Sequence, residues 1–251
     1  MLRNFFASIV WRNSGRKAFQ SIYKEALRSK TYLKYIEKVH GRDSFCYNML
    51  SKNQYEEFIA QIKSLENTKD KVALDIGCGP GLMAQALQEK YFKRVIGLDF
   101  CEKIFIDQSD KLVLVESNIE MMRLEKESFD FIYCIDSFYH LRNPKKALNK
   151  ILNSLKKDGL FVLFYSFTGE SKMAPMLKSW GVEGKVDIVD FTDDDLSFWK
   201  SSKQALNKFE QDFYNEACQR VFKAKKLECD KFLKYHENGD IHRKMLVLKR
   251  L

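Results

Sequence analysis

Hydrophobic positions in the first quarter of the chain recur at helical spacing. Apolar side chains from Ala18 to Leu27 fall at i, i+1, i+4 and i+5, which predicts an amphipathic helix. Ser51 and Gln54 form a capping-box pattern at the start of a second apolar face, which runs from Tyr55 to Leu65. No strand pattern interrupts this part. We therefore predict an N-terminal helical cap over residues 1–66.

Beyond residue 67 short apolar runs alternate with helical patterns. That alternation is typical of a parallel, doubly wound α/β sheet. A shift in composition after Tyr165 suggests an insertion around residues 167–192 within a domain that spans residues 67–251. The predicted strands cover residues 72–76, 94–99, 111–115, 128–136 and 160–165.

The C-terminal third begins with a long helical pattern after Thr192. Its aromatic stripe, which includes Trp199, Phe209 and Phe213, is expected to pack on the sheet or on the cap. Residues 231–235 and 243–249 flank the turn signal at Asn238 and Gly239, which predicts a closing β-hairpin.

Composition narrows the class of protein. The 251 residues are 45% hydrophobic and carry a net charge of +9, and no apolar run approaches the roughly 18 residues of a membrane span. We expect a soluble, cytoplasmic protein. Scattered basic residues favour a solvated surface over a nucleic-acid interface. The acid-free N-terminus also fits a transit peptide, although its apolar stripe favours a structural helix.

The cysteines and histidines do not suggest a metal site. Six cysteines contain no C-x-x-C pair, and the four histidines form no cluster at metal-ligand spacing. We expect buried, reduced thiols and no bound metal.

A glycine turn follows the first predicted strand. Gly77, Gly79 and Gly81 lie at every second position, directly before a helical pattern. Glycine permits a tight turn and lets a ligand approach the backbone. The dinucleotide fingerprint G-x-G-x-x-G would need glycine at position 82, which is Leu82, and Pro80 removes one amide from the turn.

The run Leu-Asp-Ile-Gly-Cys-Gly-Pro-Gly at positions 74–81 resembles the first motif of class I S-adenosylmethionine-dependent methyltransferases. The resemblance implies a Rossmann-like, seven-stranded sheet with an antiparallel last strand. It also implies that S-adenosyl-L-methionine is the cofactor. The glycine turn would then pass beneath the methionine and ribose, with Asp75 organising the loop.

Further cofactor contacts follow from the resemblance. Asp99 ends the second predicted strand, where a carboxylate can accept both ribose hydroxyls. Asn118 would accept a bond from the adenine amino group, and Ile119 would supply an amide. Only 11 residues separate Asp99 from Lys111, so the crossover helix must be short or irregular. That leaves open whether Phe100 or Cys101 packs on adenine.

The fourth predicted strand ends where cofactor and acceptor should meet. His140 could serve as a general base or could line the pocket. Tyr47 and Tyr139 are expected to line the acceptor side, and Ser51 and Gln54 could contact either ligand or only cap their helix. The predicted cofactor residues are Asp75, Gly77, Cys78, Gly79, Gly81, Asp99, Phe100, Asn118, Ile119, Asp136 and Ser137.

Three functions are compatible with these residues. The first is methyl transfer to the nitrogen or oxygen of a small molecule, which the aromatic acceptor wall favours if the acceptor is apolar or cationic. The second is methylation of RNA or protein. No Asn-Pro-Pro-Tyr motif, which holds exocyclic base amines in related enzymes, follows the fourth strand. The third is cofactor binding without catalysis. The acceptor and the oligomeric state stay open.

Overall fold

The computed structural model describes residues 2–41, 48, 50–101, 104–118, 120–121 and 123–250, with side chains from Gly15 onward. Eight α-helices lie in these residues: α1 Leu2–Arg28, α2 Lys30–His40, α3 Lys52–Lys63, α4 Leu82–Lys90, α5 Pro144–Ser154, α6 Met173–Trp180, α7 Thr192–Asn215 and α8 Gln219–Glu237. The seven strands are β1 Val72–Ile76, β2 Arg94–Asp99, β3 Leu112–Glu116, β4 Phe129–Ile135, β5 Leu155–Thr168, β6 Asp187–Asp190 and β7 Ile241–Lys249.

The strands form one sheet in the order β3-β2-β1-β4-β5-β7-β6. Strands β1 to β5 run parallel, whereas β7 pairs antiparallel with both β5 and β6. The order reverses at β1, so the carboxyl ends of β1 and β4 open a crevice between them. This arrangement confirms the predicted doubly wound, seven-stranded sheet with an antiparallel last strand.

The predicted closing hairpin is wrong. Residues 231–235 belong to helix α8, and β7 pairs with β5 along its whole length, from Leu160 opposite Lys249 to Thr168 opposite Ile241. The reason is burial at helical spacing. Phe222, Cys229 and Leu233 are all buried in one cluster with helices of the cap, and only a helix places them on one face.

A third hydrophobic cluster joins the two ends of the chain. Two clusters cover the two faces of the sheet. The third contains Tyr32 and Ile36 of α2 together with Trp199 of α7 and Phe222 of α8. The aromatic stripe therefore packs on the N-terminal helices, and the cap over the sheet contains C-terminal helices as well. The domain boundary at residues 66 and 67 stays a prediction.

Other expectations concern local features. The Oγ of Ser51 accepts a hydrogen bond from the amide of Gln54 at 3.1 Å, as capping predicts. The described residues between β2 and β3 contain no α-helix, in agreement with the short crossover. Five cysteines are free and buried, and Cys46 lies outside the described residues. No helix in the described ranges is both long and apolar enough to cross a membrane.

Candidate functional site

A cavity of about 1050 Å³ lies over the carboxyl ends of β1, β2 and β4. Helix α1 contributes Arg16, Phe19 and Tyr23 to its wall, and helix α8 contributes Lys225 and Glu228. Both ends of the chain therefore enclose one space above the sheet. Eleven predicted site residues line it together: Asp75, Gly77, Cys78, Gly79, Asp99, Phe100, Asn118, Asp136, Ser137 and, as candidate acceptor contacts, Tyr139 with His140.

The glycine turn after β1 is held against the neighbouring strand. The amides of Gly77 and Cys78 both donate to the carbonyl of Leu98, at 2.8 and 3.0 Å. Gly77 has φ +80°, and a Cβ at this position would overlap the side chain of Ser137. Glycine is required there both by its backbone conformation and by the close approach of the two loops.

Gly81 has a different role from its two neighbours. It does not line the cavity but stands before helix α4 with φ +93°. A Cβ at Gly81 would lie 2.6 Å from Cδ1 of Leu114, so this glycine lets α4 pack against β3. The predicted contact between Gly81 and the cofactor stays untested, and its position indicates a packing role.

Asp99 closes the glycine turn from the next strand. Its carboxylate accepts hydrogen bonds from the amides of Gly79 at 3.0 Å and Cys101 at 2.9 Å. Burial raises the pKa of Asp99 above its usual value, and these amides partly offset that rise. Each carboxylate oxygen has a further lone pair, which leaves capacity for ligand hydroxyls.

Asp75 is the most deeply placed carboxylate of the cavity, at 4% exposure. The pKa of Asp75 is raised to about 7. Burial is the largest cause of the rise, the adjacent Tyr133 hydroxyl opposes part of it, and the charge of Asp99 adds to it. The group is therefore close to half protonated at neutral pH. A cation placed beside it would favour the charged form.

Phe100 and Asn118 line the far end of the cavity beside helix α1. The ring of Phe19 meets that of Phe100 edge to face, with centroids 5.9 Å apart. Arg16 donates from Nε to the carbonyl of Phe100 at 2.6 Å and pairs with Glu116. These three contacts hold helix α1 over the carboxyl ends of β2 and β3.

Asp136 lies at the opposite end, after β4, with φ +55°. It forms a two-pronged ion pair with Arg243, whose Nη2 lies 3.0 Å from Oδ2. Arg243 is 1% exposed, and its Nε also donates to Oε1 of Gln54 at 3.2 Å. Sequence reasoning missed Arg243. A charged residue at a buried position of an apolar strand was the available signal.

Tyr139 and His140 follow on the same loop, with ring centroids 4.6 Å apart. Burial lowers the pKa of His140, and the nearby Asp136 carboxylate opposes that effect. Burial raises the pKa of Tyr139, and the charges of Asp136 and Glu228 raise it further. His140 is therefore a neutral imidazole at neutral pH, and Tyr139 keeps its proton.

Helix α8 places an ion pair on the cavity wall that sequence reasoning also missed. Nζ of Lys225 lies 3.1 Å from Oε2 of Glu228, and the side chains are 2% and 35% exposed respectively. Lys225 falls between the buried Phe222 and Cys229 on the helix. A lysine on the apolar face of a helix was the signal that could have found it.

Besides Gly81, four expected contacts are not placed on the cavity wall. Tyr47 and Ile119 lie outside the described residues. Ser51 and Gln54 do not line the cavity: the Oγ of Ser51 donates to Asp194, and Gln54 bonds to Arg243 and to Asp194. Within the described part of the chain, no group of three or more histidine, cysteine, aspartate or glutamate side chains could hold a metal ion.

Comparisons with known proteins place this site in a family context. Residues 74–163 match the family model described as a methyltransferase domain. The tRNA U34 carboxymethyltransferase of Helicobacter pylori strain Shi470 is 29% identical over 113 residues, 41% of this chain and 43% of that protein. The ubiquinone biosynthesis O-methyltransferase of Hydrogenovibrio crunogenus is 25% identical over 144 residues, 53% of this chain and 56% of that protein.

A solved structure shares the fold over most of the chain. Phosphoethanolamine N-methyltransferase 2 of Haemonchus contortus, in complex with phosphomonomethylethanolamine and S-adenosylhomocysteine, superimposes with a TM-score of 0.69 and 13% identity. The match covers 91% of this chain and 60% of that one. The chain spans about half the length of the two sequence relatives, 43% and 56% respectively.

Proposed function

We propose that this chain, whose residues 74–163 match a methyltransferase domain, is a class I, S-adenosylmethionine-dependent methyltransferase that transfers a methyl group to a small-molecule acceptor. The observation that carries the proposal is that one cavity over the strand ends is lined both by the glycine turn, its glycine-turn end, and by the adjacent Tyr139–His140 loop, its acceptor end. A donor and an acceptor bound in it would be neighbours.

The glycine-turn end fits the cofactor of this family. Gly77 and Gly79 line the cavity, so a ligand can lie against their backbone. Their missing Cβ atoms let Ser137 and Tyr23 approach the turn closely. Asp99 offers acceptor capacity for ribose hydroxyls, and Asp75 offers a carboxylate for an amino group or sulfonium. Phe100 and Asn118 would face the adenine. When bound, the cofactor supplies an electrophilic methyl group.

The acceptor end would contribute position and proton transfer. Methyl transfer is an in-line displacement, in which holding two reactants in register supplies much of the rate. Asp136 is fixed by Arg243, and Tyr139 and His140 are fixed on the same loop. The neutral imidazole of His140 can take a proton from an acceptor that must lose one.

Enclosure from both ends of the chain favours a small acceptor over a polymer. Helices α1 and α8 both contribute to the cavity wall, so a nucleic acid would have to insert a single residue beneath them. The tRNA relative and the +9 net charge are what favour the alternative, an RNA acceptor. We also propose a cytoplasmic location, because the five described cysteines are unpaired.

Calorimetric titration with S-adenosylmethionine and S-adenosylhomocysteine tests the cofactor site. We expect the wild type to bind both, and Asp99→Ala to lose at least about tenfold in affinity, since each 1.4 kcal/mol is a factor of ten. Asp158→Ala is the matched control, because its carboxylate is exposed and pairs only with Lys249 at 3.1 Å among the ion pairs described. Equal affinities in Asp99→Ala and wild type would refute the assignment of Asp99.

The acceptor class is tested separately by release of S-adenosylhomocysteine in the presence of small molecules or of total tRNA. Turnover with small molecules alone supports the proposal. Turnover with tRNA alone would replace it with an RNA methyltransferase. A protein that binds the cofactor firmly but turns over with neither would instead fit a non-catalytic role.

A further inference from the structure

Resting on this proposed function, we infer that Glu228 of helix α8 selects an amine as the acceptor and binds its ammonium or amino group. Glu228 lies on the cavity wall with the Tyr139–His140 loop. Neither the family match at residues 74–163 nor the glycine motif reaches this helix.

The ion pair on α8 is asymmetric in its exposure. Both side chains line the cavity, but Lys225 is only 2% exposed, whereas Glu228 is 35% exposed. One lysine proton donor occupies one carboxylate oxygen at 3.1 Å. A carboxylate has about four lone-pair sites, so Glu228 can still accept bonds from a ligand. The buried lysine fixes the position of the carboxylate.

Asp136 is a second carboxylate of the cavity wall that is held by a buried cation. Arg243, 1% exposed, holds it from behind, and Asp136 itself lines the wall. The charges of both carboxylates act on Tyr139, because each of them raises its pKa. Asp136, Glu228 and Tyr139 also line the same cavity.

An aromatic ring lines the same cavity as the two carboxylates. The side chain of Tyr139 is 46% exposed and lines the cavity, and Tyr165 supports it edge to face with centroids 6.2 Å apart. Cations are attracted to the faces of such rings when they lie within about 6 Å. Two fixed carboxylates with an aromatic face are suited to a protonated amine.

The charge of the cavity wall differs from that of the whole protein. The chain has a net charge of +9, yet the described lining residues include six carboxylates and three basic side chains. An anionic acceptor would meet more repulsion than attraction in such a space. The carboxylates are Asp75, Asp99, Glu116, Glu120, Asp136 and Glu228, and the basic residues are Arg16, Arg142 and Lys225.

The reaction of an amine balances with the groups present. The bound ammonium gives one proton to the imidazole of His140, which frees the nitrogen lone pair. That pair forms a bond to the methyl carbon while the carbon–sulfur bond breaks, and sulfur keeps the bonding electrons. The products are a methylated ammonium and neutral S-adenosylhomocysteine, and the proton on His140 passes to solvent. Neither an oxidant nor a metal is needed.

The test uses protein loaded with S-adenosylhomocysteine and two matched sets of probes. Benzylamine, benzyl alcohol and benzoate share one carbon skeleton, and n-butylamine, n-butanol and butyrate share another. We expect each amine to bind about tenfold or more tightly than its alcohol and its carboxylate, since a hydrogen bond to a charged group contributes about 1.5–3 kcal/mol. Glu228→Gln should reduce amine affinity to the level of the alcohol.

Glu210→Gln is the matched control. Glu210 lies on the neighbouring helix α7, is 44% exposed and pairs with Lys226 at 3.9 Å, outside the cavity wall. It should keep the full amine preference. Binding of S-adenosylhomocysteine should be unchanged in both variants, which shows that each is folded.

Three results would overturn the inference: tighter binding of the alcohols or carboxylates, an amine preference that survives in Glu228→Gln, or no binding of any probe by protein that holds S-adenosylhomocysteine. All three leave the cofactor site intact. Failure of the wild type to bind S-adenosylmethionine or S-adenosylhomocysteine would instead count against the proposed function itself, so the two failures are distinguishable.

Discussion

The two ends of the cavity are built in different ways. At the glycine-turn end, Asp75, Gly77 and Gly79 come from one stretch of five residues, and Asp99 follows on the adjacent strand. At the acceptor end, Asp136 depends on Arg243, which is 107 residues away in sequence, and Tyr139 lines the same cavity as Glu228 of helix α8. One end is local in sequence and the other is assembled from distant elements.

The two ends of the cavity are stabilised by different interactions. The glycine turn depends on backbone conformation and on amide hydrogen bonds, such as those from Gly77 and Cys78 to Leu98. The acceptor end depends on buried charges, and a buried charge that loses its partner is costly. We therefore expect substitutions at the acceptor end to act through stability and specificity, and those at the glycine turn to act through cofactor affinity.

The largest effect is expected for Arg243→Met. This change leaves the carboxylates of Asp136 and Asp195 without their shared buried cation, and breaking such a pair costs about 3–5 kcal/mol of unfolding free energy. Lys249→Met, in a pair whose side chains are 53% and 63% exposed, should cost less than about 1 kcal/mol. Urea denaturation measures both. Similar losses in the two variants would remove the distinction between the ends.

The second effect concerns the pH dependence of stability through Asp75. Its pKa is raised from 3.8 to about 7 in the folded protein, so the folded state binds one more proton than the unfolded state between those values. Stability is therefore lost as pH rises from about 4 to about 7. The expected loss is at most about 4 kcal/mol, since one pKa unit is worth about 1.4 kcal/mol.

Asp75→Asn is the control for this pH effect. The variant has no carboxylate at position 75 and should lack that part of the slope. Urea denaturation at several pH values from 4 to 8 gives the difference between the two proteins. Parallel profiles would mean that Asp75 ionises normally in the folded state.

The third effect is on the glycine turn. In Gly77→Ala the new Cβ meets Ser137 and the backbone must hold φ +80°, which together should weaken S-adenosylhomocysteine binding about a hundredfold. Gly184→Ala has a similar φ of +70° with nothing within 4 Å of the Cβ, so it separates backbone strain from crowding. Calorimetry measures both variants. Normal cofactor affinity in Gly77→Ala would show that the turn does not need glycine.

The smallest effect is expected for His140→Gln with an amine substrate. We expect kcat to fall about tenfold at neutral pH. This decrease is smaller than a general base usually causes, because water can also remove the proton. The deficit should shrink at higher pH as more of the amine is already unprotonated. A deficit that does not change with pH would assign His140 to lining the pocket and not to proton transfer.

Much of the fold was predictable because the signals are local. The strand, glycine turn and helix at residues 72–90 follow from apolar spacing and backbone conformation, and Ser51 caps its helix as predicted. The closing hairpin was wrong because residues 231–235 are short and apolar in pattern, which fits either a strand or a buried helix. Contact with the N-terminal helices decided for the helix.

The residues of the candidate site also fall into some that could be predicted from local sequence and some that could not. Asp75, Gly77, Gly79 and Asp99 could be named because their positions relative to the strands fix where they point. Gln54 shows the limit: its spacing was compatible with ligand contact, but its amide bonds to Arg243 and Asp194 inside the protein. No local pattern states which of several possible partners a buried polar side chain will have.

The sequence by itself determined the doubly wound sheet and the residues at the glycine-turn end of the cavity, because strand periodicity and glycine conformation act over a few residues. Only the tertiary structure decided that helix α8 joins α1 above the sheet, and that Arg243 pairs with Asp136 and Lys225 with Glu228 at the cavity. Burial joins charges from distant segments, and the partner that each charge meets exists only once the chain has folded.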